Sequence, residues 1–189
     1  IILANDRAAS WLEDYFGTRF PFQKLDLVLA PAFPFGGMEH PGAVFYSEER
    51  FVFRERPTLP QRLGRTATIY HEIAHQWFGD KVTCGAWNDI WLNEGFATFG
   101  EHLANEKLLM TNSQFMSYLS SEMNYITSSA GGSVYVSDTN LGNTGAIFSG
   151  RLSYSKGGYV VRMIKWILGD DAFYSALKDY HARSQLAYG

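Results

Sequence analysis

Residues 66–80 read TATIYHEIAHQWFGD, two histidines and a glutamate inside an otherwise apolar run. A helix turns 100° per residue, so His71 and His75 lie about 40° apart and roughly 6 Å along the axis. Both imidazoles can therefore reach one ion at the ~2.0–2.1 Å typical of zinc–nitrogen bonds. Ile69, Ile73 and Trp77 fall on the opposite side of the same helix, which lets one face enter a core while the other holds metal. Glu72 is rotated by about 100° from His71, beside the ion rather than on it, where a carboxylate is placed to take a proton from an activated water. The plain alternative is a chance HExxH on a solvated helix. The bulky apolar residues around the polar ones argue against it.

Two histidines leave a catalytic zinc short of a ligand, because such sites commonly take three protein donors and keep a fourth position for water. WNDIWLNEGFATFGEH (87–102) offers Glu94, with eighteen residues between it and His75, enough for a turn and an antiparallel return. Gly95 and Gly100 weaken this second helix by propensity, yet they let two helices approach closely. Glu101, seven residues beyond Glu94, is either an outer carboxylate orienting a ligating histidine or a solvated helix charge. His102 and His181 read as helix residues that are not ligands, and Cys84 as a small packing residue.

Outward from this pair of helices the pattern is sheet first, helices after. Residues 4–16 carry apolar side chains at helical spacing and stop at Gly17. KLDLVLA (24–30) alternates as a strand does, and AVFYS (43–47) and FVFR (51–54) are short strand candidates. PAFPFGGMEHPG (31–42), rich in Pro and Gly, is excluded from the middle of a sheet. Helices are predicted over 66–78, over 89–108 with Asn88 or Asp89 as cap, over 113–124, over the run of Val160 to Leu168, and after Asp170. The last places Phe173, Ala176, Leu177 and Tyr180 on its inner face. Residues 126–150 are too long and too rich in Ser, Gly, Thr and Asn for an ordinary connection, so they are either mobile or shape a site. The fold class is α+β, a small mixed sheet followed by a mostly helical lobe, with lobes 1–106 and 107–189.

Composition narrows the partners. In 189 residues, 46% are hydrophobic and 19% charged, an ordinary globular balance. The net charge is −3 with no basic run, so nothing recommends nucleic acid as a partner. No apolar run reaches the ~18 residues of a membrane span. A single cysteine excludes an intrachain disulfide. The chain starts at Ile1 with no visible signal peptide, which suggests a processed chain or a piece of a longer one and gives no compartment.

Four pieces of sequence, taken together, resemble the zinc aminopeptidase family that includes aminopeptidase N, within the gluzincins. HEIAH (71–75) followed by NEGFAT (93–98) is similar to its zinc signature; GGMEH (36–40) resembles its Gly-x-Met-Glu-Asn exopeptidase motif; YSKGG (154–158) resembles its Tyr-x-Lys-Gly segment; and FGTRFPFQKLDLVLAP resembles the lead-in to the exopeptidase motif. The resemblance implies a thermolysin-like catalytic domain holding one Zn2+ ion on His71, His75 and Glu94. It further implies Glu72 as general base and proton donor and Tyr154 as hydrogen-bond donor to the oxyanion. Gly36, Gly37, Met38, Glu39 and His40 would form the substrate-binding segment, with Glu39 on the free α-ammonium of a peptide. His40 departs from the family's asparagine, which touches the geometry around Glu39 rather than the metal chemistry. The β-rich and helical domains that flank this region in the family are expected to be missing, with zinc binding retained and peptidase efficiency lowered. A thermolysin-like endopeptidase using the same centre, and a module whose zinc only holds helices together, are the competing readings.

Overall fold

A computed structural model of the chain describes residues 1–183 and 187–188. Helix α1 (Ile2–Phe16) buries Ala8, Leu12 and Phe16, one per turn, and ends where Gly17 turns left-handed at φ 61°. Three strands follow: β1 (Asp26–Ala30), β2 (Gly37–Met38) and β3 (Ala43–Ser47). They form one mixed sheet in the order β1-β3-β2, β1 parallel and β2 antiparallel to β3. The Pro/Gly-rich segment thus contributes only a two-residue strand at the sheet edge, as its composition requires.

The strand expected at FVFR does not form. Phe51 instead closes a short helix, α2 (Glu48–Phe51), and stacks on Tyr46 with ring centres 4.2 Å apart. Its burial comes from that stacking, while Val52 points to solvent, so the apparent alternation was not that of a strand.

Helix α3 (Leu59–His75) starts seven residues earlier than its apolar period predicts, and ends three residues sooner. Thr58 and Gln61 form a reciprocal capping box there, and Pro60 is tolerated because the first turn lacks N–H partners anyway. From Ile69 to Gly79 every residue is buried, so His71, Glu72, His75 and Gln76 lie inside the protein, where an unpaired polar group is costly. Trp77, fully buried, donates its indole N–H to Thr18 O at 3.0 Å and ties α1 to this helix. After it come β4 (Val82–Thr83) and α4 (Trp91–Ala104).

Asn88 and Asp89 do not cap α4. They lie in a 3-10 turn before it, and Asn88 Nδ2 donates to Val136 O at 2.7 Å and Asp138 Oδ1 at 2.8 Å. Asn88 thus serves the long connection rather than the helix. The two glycines of α4 face different neighbours. A Cβ on Gly100 would come within 2.8 Å of Ala74 in α3, whereas one on Gly95 would come within 2.7 Å of the Gly157 backbone.

A π-helical turn (Asn105–Leu109) continues α4, and α5 (Asn112–Ile126) begins at a second capping box, Thr111 with Gln114. Residues 126–150 hold the short helix α6 (Thr144–Ile147) and are pinned at several points. Arg151 donates to the carbonyls of Ile126, Ser129 and Gly131, and Lys156 to that of Gly132. These hydrogen bonds hold residues 126–132 against Arg151 and Lys156.

A seven-residue π-helical turn (Gly150–Lys156) carries Tyr154 and runs into α7 (Gly157–Leu168). The apolar residues that mark α7 in the sequence, Val160, Met163, Ile164, Ile167 and Leu168, lie mostly on its outside: Ile167 is 70% and Met163 55% exposed. Its inner face is Gly157, Gly158 and Val161, because backbone-close packing on α4 leaves room for little else. Helix α8 (Asp170–Arg183) buries Phe173, Leu177 and His181, while Ala176 is exposed, contrary to the inner face predicted for it. Strand β5 (Ala187–Tyr188) pairs in parallel with β4. Among the described residues no helix is long and apolar enough to cross a membrane.

Candidate metal centre

Where α3 and α4 pack together, three donor atoms meet. His71 Nε2 and His75 Nε2 are 3.1 Å apart, and Glu94 Oε2 lies 3.3 Å from the first and 3.2 Å from the second. Four ligands placed tetrahedrally at ~2.05 Å from an ion are about 3.3 Å apart, so this triangle has the size of one face of such a shell. All three side chains are buried. The other ring nitrogens are already engaged: His71 Nδ1–H donates to Glu101 Oε1 at 2.7 Å and His75 Nδ1–H to Phe78 O at 3.0 Å. Those bonds leave both Nε2 lone pairs for an ion.

The electrostatics point the same way. Burial works against protonation of His71, but hydrogen bonds to Glu101 and Glu94 outweigh it and carry its pKa well above the usual value. Burial likewise opposes protonation of His75, yet the charges of Glu39 and Glu94 lift it to about 9. Burial alone would raise Glu94, but His75 and His71 hold it well below the ordinary carboxylate range. Three buried donors brought to one point, two of them neutral-capable imidazoles and one a carboxylate held ionised, suit a cation. The residues present fit a divalent metal ion.

Around this centre stand further acids. Glu72 is 5% exposed, and burial raises its pKa to about 7 against the opposing charges of His71 and His75. A Cβ on Gly37 would sit 2.4 Å from Glu72 Oε1, so only glycine lets β2 run this close to the carboxylate. Glu39 follows β2, with Oε1 3.8 Å from His75 Nδ1, and its donor oxygen, one of Glu72 and one nitrogen of His75 lie within 4.8 Å of one another. Gly36 O accepts from Ser47 N–H at 3.1 Å, and Met38 pairs with Phe45. His40 is exposed, its ring edge-on to Phe45 at 4.8 Å. From the opposite side, the Tyr154 ring stacks over His71 at 5.8 Å and 11°. Burial first, then the charge of Glu94, keeps its phenol protonated far above the usual pKa.

A sequence profile described as the Peptidase family M1 domain matches residues 4–187. The chain belongs to peptidase family M1. Relatives at 33–36% identity include Aminopeptidase M1-C of rice, with 92% of this chain aligned to 20% of its length, and Probable aminopeptidase 2 of Sulfurisphaera tokodaii, with 92% aligned to 23%. Human Endoplasmic reticulum aminopeptidase 1 is 36% identical over 94% of the chain and 19% of its own length. This M1 domain thus spans about a fifth of each of these relatives.

Two neighbours of the centre had no assigned part in the sequence reading. Asp80 has an unpartnered buried Oδ2, and burial together with Glu39 raises its pKa to about 8. Gln76 is wholly buried directly after His75. The available signal for both was a polar residue flanking the buried WFG stretch, Gln76 before it and Asp80 after it. His102 is buried with both ring nitrogens unpartnered and its pKa lowered to about 3 by burial, away from the three donors.

Proposed function

We propose that this domain is a zinc aminopeptidase, removing N-terminal residues from peptides that carry a free amine. The observation that carries the reading is the buried His71–His75–Glu94 triangle with two more carboxylates, Glu72 and Glu39, beside it. His71, His75 and Glu94 would hold one Zn2+, which when bound polarises the scissile carbonyl and acidifies water.

The chain's own residues do the rest. Glu72 takes the proton of the attacking water and hands it to the leaving amine, a task suited to a carboxyl poised near neutrality. Tyr154, protonated at any physiological pH, donates to the oxyanion. Glu39 pairs with the substrate ammonium and sets where the chain of the substrate stops. Residues Gly36–Met38 present the edge of the sheet, to which an extended peptide adds as a strand. His40 supports the loop through Phe45. In this arrangement the first lobe, to residue 106, supplies the ligands and the second, from 107, the tyrosine.

The deciding experiment compares aminoacyl anilides with their N-acetylated counterparts. Free-amine substrates are expected to be cleaved and acetylated ones spared; preference for the blocked form would move the assignment to a thermolysin-like endopeptidase. Glu101 is the residue that orients His71. Glu101→Gln is expected to weaken zinc binding by about 10–100-fold, read by competition with a chelating dye, with the fold unchanged by circular dichroism.

A further inference from the structure

Gln76 is fully buried, so its side-chain amide needs partners within the protein. Both ends find them on one short loop. Oε1 accepts from Gly42 N–H at 2.8 Å, and Nε2 donates to Glu39 O at 3.1 Å. These two backbone groups bracket His40-Pro41. The bracketed turn is closed by Ala43 N–H on His40 O at 2.8 Å, with Pro at its second position and Gly42 at φ 67°, the pattern of a type II turn. The sheet holds the same loop from its other side, through Asp26 N–H on Gly42 O at 2.8 Å and Ser47 N–H on Gly36 O at 3.1 Å. Gln76 ties the backbone of this loop to the end of α3, one residue after a metal-centre histidine.

We infer that Gln76 is a positioning residue for amine recognition, fixing the backbone of Glu39 at a set distance from His75. The inference rests on the reading of Glu39 as the ammonium anchor. Gln76 itself touches neither substrate nor ion. Its removal therefore acts on the discrimination between free and blocked amines, and leaves metal binding in place. A polar residue that merely filled space would change stability without changing that discrimination.

The test uses Gln76→Met, which keeps the volume and removes both hydrogen bonds, and Gln76→Glu, which keeps the acceptor for Gly42 N–H and removes the donor to Glu39 O. For Gln76→Met, kcat/KM on an unblocked aminoacyl anilide is expected to fall about tenfold, the loss of roughly one to two buried hydrogen bonds. The acetylated anilide is expected to stay at its background rate and the zinc content to hold, while the Gly42 amide loses protection in hydrogen exchange. Gln76→Glu is expected to lose part of the same preference with Gly42 still protected, and it carries the test should the Met variant not fold. A free-amine preference equal to that of the unaltered protein in both variants overturns the positioning role alone. Equal rates on free and blocked substrates in the unaltered protein overturn the Glu39 reading and the positioning role with it.

Discussion

Glu72→Gln is expected to lower the hydrolysis of a free-amine anilide by about 10²–10⁴-fold, the range that proton transfer by a placed side chain contributes. Glutamine keeps the shape and can still hydrogen-bond, but it cannot accept and then deliver a proton. The metal should stay, because Glu72 is not among the three atoms that form the His71–His75–Glu94 triangle. Zinc content near one per chain together with lost turnover is the predicted pair of results. Turnover retained in this variant would remove Glu72 from the chemistry. Zinc lost together with turnover would make it a fourth ligand instead.

Gly95→Ala should do the largest damage to the fold for the smallest change in sequence. The added Cβ would stand 2.7 Å from the Gly157 carbonyl carbon and 2.9 Å from its Cα. Those are backbone atoms, which cannot rotate away as a side-chain end can. Overpacking of this kind costs about 3 kcal/mol, or ~6–12 °C in Tm for a chain of this size. The effect should not stop at stability. Gly95 follows Glu94 directly, and Gly157 is three residues from Tyr154, so spreading α4 from α7 also parts the phenol from the metal centre. A fall in anilide turnover measured well below the variant's Tm, with zinc retained, is the expected signature. An unchanged melting curve would mean that the two helices are not in this contact.

The elements that were legible from sequence are those whose information is local. Leu12 and Phe16 repeat at helical spacing up to Gly17, AVFYS forms β3 over the same residues 43–47, and a spacing of four positions puts the two histidines on a common face. What was not legible depended on partners distant in the chain. The start of α3 is set by Thr58 and Gln61 rather than by any apolar period. FVFR carries a strand-like pattern, yet Phe51 is buried by stacking on Tyr46. Asn88 has the chemistry of a cap but bonds to Val136 and Asp138, about fifty residues away. Gly95 could be read as a point of close approach, but not that its neighbour would be α7 rather than α3. At the centre, helix geometry brings His71 and His75 together and the eighteen-residue gap offers Glu94 as the third donor, whereas the hold of Gln76 on Gly42 and Glu39 belongs to the tertiary structure.

The π-helical turn at residues 150–156 is pinned at both ends, by Ser149 and the Ser153 hydroxyl on Ile147 O at one and by the Gly157–Gly95 contact at the other. Between fixed ends, the number of residues decides how far round the axis each one has travelled. The aim of the Tyr154 ring is accordingly a matter of counting as much as of composition: swapping its neighbours leaves the heading intact, whereas one residue more or fewer in that stretch swings the hydroxyl by about a quarter of a revolution.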